Sequence, residues 1–140
     1  PDKGCLYANM FDLSGAATWG FDWAPVDCDD GFAEASPVGA LQPNAYGLHD
    51  ILGNVWEWTE DCYIAPYLDS LVDGSAVQSD GACDRRSVRG GSWITRASRH
   101  RTTFRGRDPE DTVFSFFGFR VARDLTAEER QRFSGSKSQQ

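Results

Sequence analysis

Turn-forming residues interrupt this chain so often that only short strands and single helical turns have room to form. Within residues 1–45, Asn9, Asp12, Gly15, Gly20, Asp22, Pro25, Asp29, Asp30 and Gly31 each favour a bend, through a side chain that bonds nearby backbone or through restricted or relaxed φ. Those residues are expected as loops. Residues 46–52 (YGLHDIL) suit one helical turn ended by Gly53. Residues 56–61 (WEWTED) read as a short strand, with Trp56 and Trp58 on one face and Glu57 and Thr59 on the other. Residues 62–84 make a long loop of Asp, Gly and Ser, of a length that usually carries function or a clamp. Residues 87–93 (SVRGGSW) suit a strand interrupted at Gly90 and Gly91, where another backbone comes close. Residues 116–123 (FFGFRVAR) alternate apolar and polar as a closing strand would. Thr126 and Glu129 fit a capping box for a short helix, and from Ser134 onward the tail is expected to be disordered.

Few short strands and much loop need clamps beyond a hydrophobic core. The chain has four Cys: Cys5, Cys28, Cys62 and Cys83. None forms a CxxC pair, and no His lies near them at zinc-finger spacing. An even count at wide spacing suits two disulfides in an exported protein, periplasmic or extracellular; unpaired core thiols in a cytosolic protein are the alternative. Four Cys allow three pairings. Cys5–Cys28 with Cys62–Cys83 is the favoured one, because each pair closes a loop with little core of its own.

Charge is divided along the chain. Residues 1–84 hold one basic side chain, Lys3, against fifteen acids, whereas residues 85–140 hold thirteen Lys or Arg against six acids. The two parts are complementary to each other, and the acidic part also suits hard cations. The basic part is almost all Arg, which favours fixed bidentate contacts. A net charge of −7 with no Lys-rich stripe argues against nucleic acid. No run approaches the roughly 20 apolar residues of a membrane span, so neither nucleic acid nor membrane is expected as a partner. The 140 residues suffice for one domain, and five Trp and nine Phe supply large buried surfaces. The start at Pro1, with no Met and no signal-like segment, is expected to be the middle of a longer protein.

Three segments occur in an informative order: residues 44–61 (NAYGLHDILGNVWEWTED), 89–93 (RGGSW) and 118–123 (GFRVAR). With YANM at residues 7–10 and DGF at 30–32, the combination resembles the C-terminal part of the formylglycine-generating enzyme (sulfatase-modifying factor) family, over about residues 5–124. The resemblance implies an α+β fold related to C-type lectins, with little regular secondary structure, short strands and long ordered loops. It implies that residues 1–124 are the C-terminal part of the domain and residues 125–140 a short helix and tail. The first half of the domain then lies outside this chain and is an expected partner. The family includes formylglycine generators, inactive paralogues, non-haem iron sulfoxide synthases, a pyoverdine-maturation branch and ligand-binding proteins, so membership constrains fold more than function.

The resemblance also implies two structural calcium sites. The first would use the Asn9 side chain, the Met10 carbonyl, the Asp30 side chain and the Phe32 carbonyl. The second would use Asp50, the Gly53 and Val55 carbonyls, and Glu57. Such mixtures of carboxylate and backbone oxygen suit a cation that takes six to eight oxygens at about 2.3–2.6 Å. Asp50 stands where the family usually has Asn, and the segment between Asn9 and Asp30 is longer than in the enzymes. From spacing alone, an N-capping Asp and a solvent-facing strand Glu are the simpler reading of Asp50 and Glu57; the resemblance favours calcium.

In the formylglycine generators, two cysteines after the GGS segment bind copper, and the serine lines the oxygen pocket. Ser92 keeps that serine, but the cysteine positions fall on Thr95 and His100, and residues 85–140 contain no Cys. A soft thiolate pair for Cu(I) cannot be built there. His49 and His100 are the only histidines, and their spacing does not demand iron. Neither copper nor iron is expected. Arg105 and Arg120 match scaffold positions and read as buried clamps on carbonyls and on acids such as Asp108, Glu110 and Asp111. Arg96, Arg99 and Arg101, with Ser92 and Trp93, are candidates for a pocket holding a peptide or small ligand. The functional expectation is a calcium-stabilised binding module without the catalytic pair. The alternative is a metal-dependent oxidase of the same family, using non-haem iron or copper.

Overall fold

The computed structural model describes residues 3–65 and 74–135. A four-stranded mixed sheet of order β3-β2-β1-β4 is its only sheet among the described residues. Strand β1 (Trp56–Cys62) lies at the centre. It pairs antiparallel with β2 (Arg86–Arg89), placing Trp58 opposite Val88, and parallel with β4 (Phe117–Phe119), placing Trp56 opposite Phe117. Strand β3 (Gly106–Asp108) adds antiparallel to the outer side of β2. Among the described residues there are two helices, α1 (Leu13–Thr18) and α2 (Ala127–Gly135), with 3-10 turns at Gly4–Leu6 and Ala97–Arg99. No helix among the described residues is long and apolar enough to cross a membrane.

Several local expectations need correction. Residues 46–52 are not helical. The Asn44 side chain accepts the amides of Tyr46 (2.9 Å) and Leu48 (3.1 Å), which turns the chain instead. Gly47 (φ 76°) and Asp50 (φ 56°) then take left-handed backbone that no α-helix continues. Residues 1–45 are not all loop, because Asp12 caps α1 by accepting Gly15 N–H at 3.1 Å. A six-residue helix is too short to show a period in sequence. The strand expected over residues 87–93 is the shorter β2, ended by left-handed Gly90 and Gly91. The strand expected over residues 116–123 pairs only from Phe117 to Phe119. Ser134 and Gly135 belong to α2; residues 136–140, and residues 66–73 of the long loop, lie outside the described residues. The expected capping box is present, with Thr126 N–H reaching the Glu129 carboxylate at 2.8 Å and Glu129 N–H reaching Thr126 Oγ1 at 3.3 Å.

Burial is unusually mixed. Among the described residues, Cys5, Ala8, Met10, Phe11, Val26, Trp56, Cys62, Val88 and Trp93 are buried apolar residues. Asn9, Asp12, Ser36, Asp50, Asn54, Ser87, Ser92 and Thr95 are buried polar ones. With nearly equal numbers of each, hydrogen bonds and cross-links carry much of what a larger apolar core would carry elsewhere. Both favoured disulfides are present: Cys5–Cys28 and Cys62–Cys83, with Cα separations of 6.0 and 5.6 Å. They close loops with sequence separations of 23 and 21. Loops of that size are stabilised by on the order of 3 kcal/mol each in the chain-entropy model. Aromatic residues flanking α1 in sequence pack together: Phe11 meets Phe21 and Trp23 edge-on at 5.2 and 5.8 Å, and Trp19 packs on Trp93 at 5.8 Å.

Candidate functional site

The segment entering β1 is built from three left-handed residues, Asp50 (φ 56°), Gly53 (φ 81°) and Asn54 (φ 60°). Only glycine fits at position 53, because a Cβ there would collide with the Asn9 carbonyl. Asn54 N–H donates to that same carbonyl at 2.8 Å, so the turn is fastened to the loop that carries Asn9. Asp50 is buried; its Oδ2 accepts Gly39 N–H at 2.8 Å, while Oδ1 has no partner. Asp50, Val55 and Glu57 face one small cavity of about 220 Å³, together with Asn54 and Arg120. Glu57 is held bidentately by Arg120, with Nε–Oε2 3.1 Å and Nη2–Oε1 2.7 Å. Arg120 also donates to the carbonyls of His49 (2.9 Å) and Asp50 (3.2 Å). The expected clamp therefore exists, but on Glu57 and at the surface. Arg105 donates to the Ile64 carbonyl (3.0 Å), and Glu110 is paired by Arg86 instead (3.2 Å).

The second cluster lies around Asn9. This residue is fully buried, its amide donates to the Glu34 carbonyl at 2.8 Å, and its Oδ1 has no partner. Asp30 accepts Phe32 N–H at 2.8 Å and Met10 N–H at 3.3 Å, so Met10 and Phe32 reach the Asp30 carboxylate through their amides. Burial pushes the Asp30 carboxyl up to about 6, and neighbouring Asp12 and Asp29 push the same way against the two amides. Asp12, which sequence reasoning missed here, is fully buried and accepts Asp30 N–H at 2.6 Å. Ligand-type atoms of Cys5, Asp12 and Asp30 lie within 4.8 Å of one another, but the Cys5 sulfur is in a disulfide and offers no thiolate. Its position just before a short helical segment was the available signal for Asp12. The donor chemistry at both clusters fits a hard cation: buried carboxylates, and the unpartnered buried oxygens Asn9 Oδ1 and Asp50 Oδ1.

The third cluster follows β2. Gly91 (φ 84°) leaves room for His100, whose ring would lie 2.6 Å from a Cβ at that position. Ser92 is fully buried, and its N–H donates to Thr95 Oγ1 at 3.0 Å. The two hydroxyls are 2.8 Å apart. His100 Nε2 lies 3.2 Å from the Ser92 carbonyl, its Nδ1 is buried without a partner, and burial pulls the imidazole below its usual value. Thr95 and His100 thus converge on Ser92 as neutral hydrogen-bonding groups. Trp93 is buried. Arg96 lies 5.1 Å over the Trp23 ring, and Arg99 and Arg101 lie 5.6 and 5.7 Å over Phe104. Trp23 was not anticipated as a site residue; the aromatic run WGFDW at residues 19–23 was the signal.

Residues 7–125 match the family described as the sulfatase-modifying factor enzyme 1-like domain. The chain belongs to this family. A formylglycine-generating enzyme from Bos taurus is 35% identical over 126 residues, covering 87% of this chain and 31% of that protein. Also from Bos taurus, inactive C-alpha-formylglycine-generating enzyme 2 is 37% identical over 129 residues, covering 86% of this chain and 38% of that protein. PvdO from Pseudomonas aeruginosa superposes with a TM-score of 0.72 at 31% identity, over 89% of this chain and 43% of that one. The chain thus spans well under half the length of these relatives. The fold is that of the formylglycine-generating-enzyme family: α+β, with a small mixed sheet and little regular secondary structure. This sulfatase-modifying-factor-like chain places Thr95 and His100 beside Ser92, and all four of its Cys are in disulfides.

Proposed function

We propose that this chain is part of a calcium-stabilised module that binds a ligand or partner and does not generate formylglycine. The observation that carries the reading is the Ser92–Thr95–His100 cluster. On the family resemblance, Thr95 and His100 stand at the copper-binding cysteine positions, and a hydroxyl and a neutral imidazole there are both engaged with Ser92. Neither is a soft anionic ligand for Cu(I). The similarity to a protein named as an inactive formylglycine-generating enzyme is in keeping with this. Calcium would be held by Asn9, Met10, Asp30 and Phe32 at one site, and by Asp50, Gly53, Val55 and Glu57 at the other. The buried unpartnered oxygens of Asn9 and Asp50 support the assignment. At the second site the cation would share Glu57 with Arg120. Its chemistry there is structural: it neutralises oxygens that the fold has already taken out of water.

Export to an oxidising compartment accounts for the two disulfides. The remainder of the domain is the proposed partner of the β4 side, where Val113, Phe114, Phe119 and Val121 are exposed beside an edge strand. A second reading, a metal-dependent oxidase, draws on His100 Nδ1, a buried nitrogen with a lone coordination position to offer. Incubating the complete protein with copper, oxygen, a reductant and a sulfatase-type CxPxR peptide decides between them. The binding module leaves the peptide mass unchanged and retains calcium alone on metal analysis. Repeated conversion of thiol to aldehyde, or stoichiometric iron or copper, would overturn it.

A further inference from the structure

Beyond the hydroxyl–imidazole cluster, the surface above Thr95 opens into a pocket of about 430 Å³. Trp23, Trp56 and Phe116 form apolar walls, and Thr95, Arg96 and Arg99 line the same space. A second pocket of about 410 Å³ adjoins it, shares Trp56, Arg99 and Phe116, and adds Arg107. That volume suits a small organic molecule. We propose that this pocket binds an oxyanion, carboxylate or phosphate, carried on an aromatic ring. The inference rests on the binding-module reading and names its ligand class.

Charge is the first argument. These 140 residues carry −7, yet the two joined pockets hold several guanidinium groups and, of the acids, only Asp108. Arg99 has no carboxylate within ion-pairing distance among the described residues; its guanidinium rests over Phe104. Arg96 has one acid, Asp22, at 3.6 Å, but that side chain is 86% exposed and the pair is weak. An incoming oxyanion can therefore take both cations without breaking a buried ion pair. Guanidinium groups match the oxygens of carboxylate and phosphate bidentately.

Preorganisation is the second argument. Trp23 stacks on Phe21 at 4.5 Å with an interplanar angle of 5°, and Arg96 lies over Trp23. The paired rings prop the guanidinium at the pocket, which reduces the side-chain entropy lost on binding. Trp56 is itself fixed, buried in β1 and packed on Phe104 at 5.9 Å. Rigid aromatic walls next to cations that rest on rings favour a ligand with a planar apolar body and one anionic end. A bare inorganic anion would leave the walls uncovered, and a cationic ring would meet Arg96 and Arg99.

Calorimetric titration of the complete protein with phenylacetate, phenyl phosphate, benzyl alcohol and phenethylamine tests this. At least one of the two anions is expected to bind saturably, at least tenfold tighter than the alcohol or the amine and weaker as salt rises. Which anion binds tighter identifies the oxyanion. Arg96→Gln with Arg99→Gln is expected to reduce that affinity at least tenfold, whereas Arg123→Gln, on the α2 side, leaves it unchanged. Equal binding of the neutral or cationic probe, or no saturable binding of either anion, would overturn the proposal. The wild-type probe series decides the matter even where the double variant does not fold. Conversion of the thiol peptide, in contrast, would overturn the proposed function and leave the anion preference standing.

Discussion

Asn9, Asp30 and Asp50 show how single residues reveal a missing counter-charge. An Asn oxygen or carboxylate that is buried with no donor loses its hydration and gains nothing in return. Asn9 Oδ1 and Asp50 Oδ1 are in that position, and the Asp30 carboxyl is pushed up to about 6 chiefly by burial. The sign of the resulting pH effect follows. A carboxyl raised above its ordinary 3.8 takes up its proton in the folded state before the unfolded one. Without a cation, Asp30 therefore costs stability above about pH 6, and that cost is relieved as pH falls through about 6 toward 4. Relative to Asp30→Asn, the chelated wild-type protein should gain thermal stability between pH 7.5 and pH 5. Saturating calcium should abolish the gain by holding the carboxylate ionised. A difference between wild type and variant that does not change with pH in chelator would count against a carboxyl at Asp30 raised by burial.

At the scale of elements, the turn at residues 50–54 is the piece on which the candidate site depends. It fastens three things together: the Asn9 loop through Asn54 N–H, the end of β2 through Gly53 N–H to the Gly90 carbonyl (3.0 Å), and Trp93 N–H to the Asn54 carbonyl (2.9 Å). Gly53→Ala should be strongly destabilising. Left-handed backbone costs an L-residue about 1–2 kcal/mol, and the collision with the Asn9 carbonyl adds to it. A total beyond about 3 kcal/mol is expected from chemical denaturation. A loss below about 1 kcal/mol would mean that the turn relaxes freely. This turn was legible in part. Gly53 and the motif around it marked the place, but residues 46–52 carry a helix-like apolar pattern that the Asn44 side chain overrides by capturing the Tyr46 and Leu48 amides. Strands β3 and β4, three residues each, and the six-residue α1 are shorter than any period can reveal.

For the whole molecule, stability rests on cross-links between parts that have little core of their own. The acidic and basic parts of the chain meet at Arg120–Glu57 (2.7 Å) and Arg96–Asp22 (3.6 Å), so charge division does bring distant segments together. The remaining excess of acid near Asn9 and Asp50 is where the proposed cations act. Chelation of the complete protein should lower its melting temperature by roughly 5 °C or more, restored by added calcium and not by magnesium at equal concentration. An unchanged melting curve in chelator would remove calcium from the account of stability.

From the residues alone came the loop-rich pattern of short strands, the Trp56 strand, the two disulfide pairs, the capping box before α2 and the lack of any Cys in residues 85–140; the α+β class came from the family resemblance. The features read from the residues depend on residue identity and local spacing, which a linear chain displays. Tertiary structure alone decided that Asp12 joins the Asn9 cluster, that Arg120 clamps Glu57 and not the acids near it in sequence, and that Trp23 holds Arg96 over a pocket. Those contacts join residues as far as 73 positions apart, Trp23 and Arg96 among them. They arise because closing the sheet and the Cys5–Cys28 loop brings separate turns to one place, which no local pattern records.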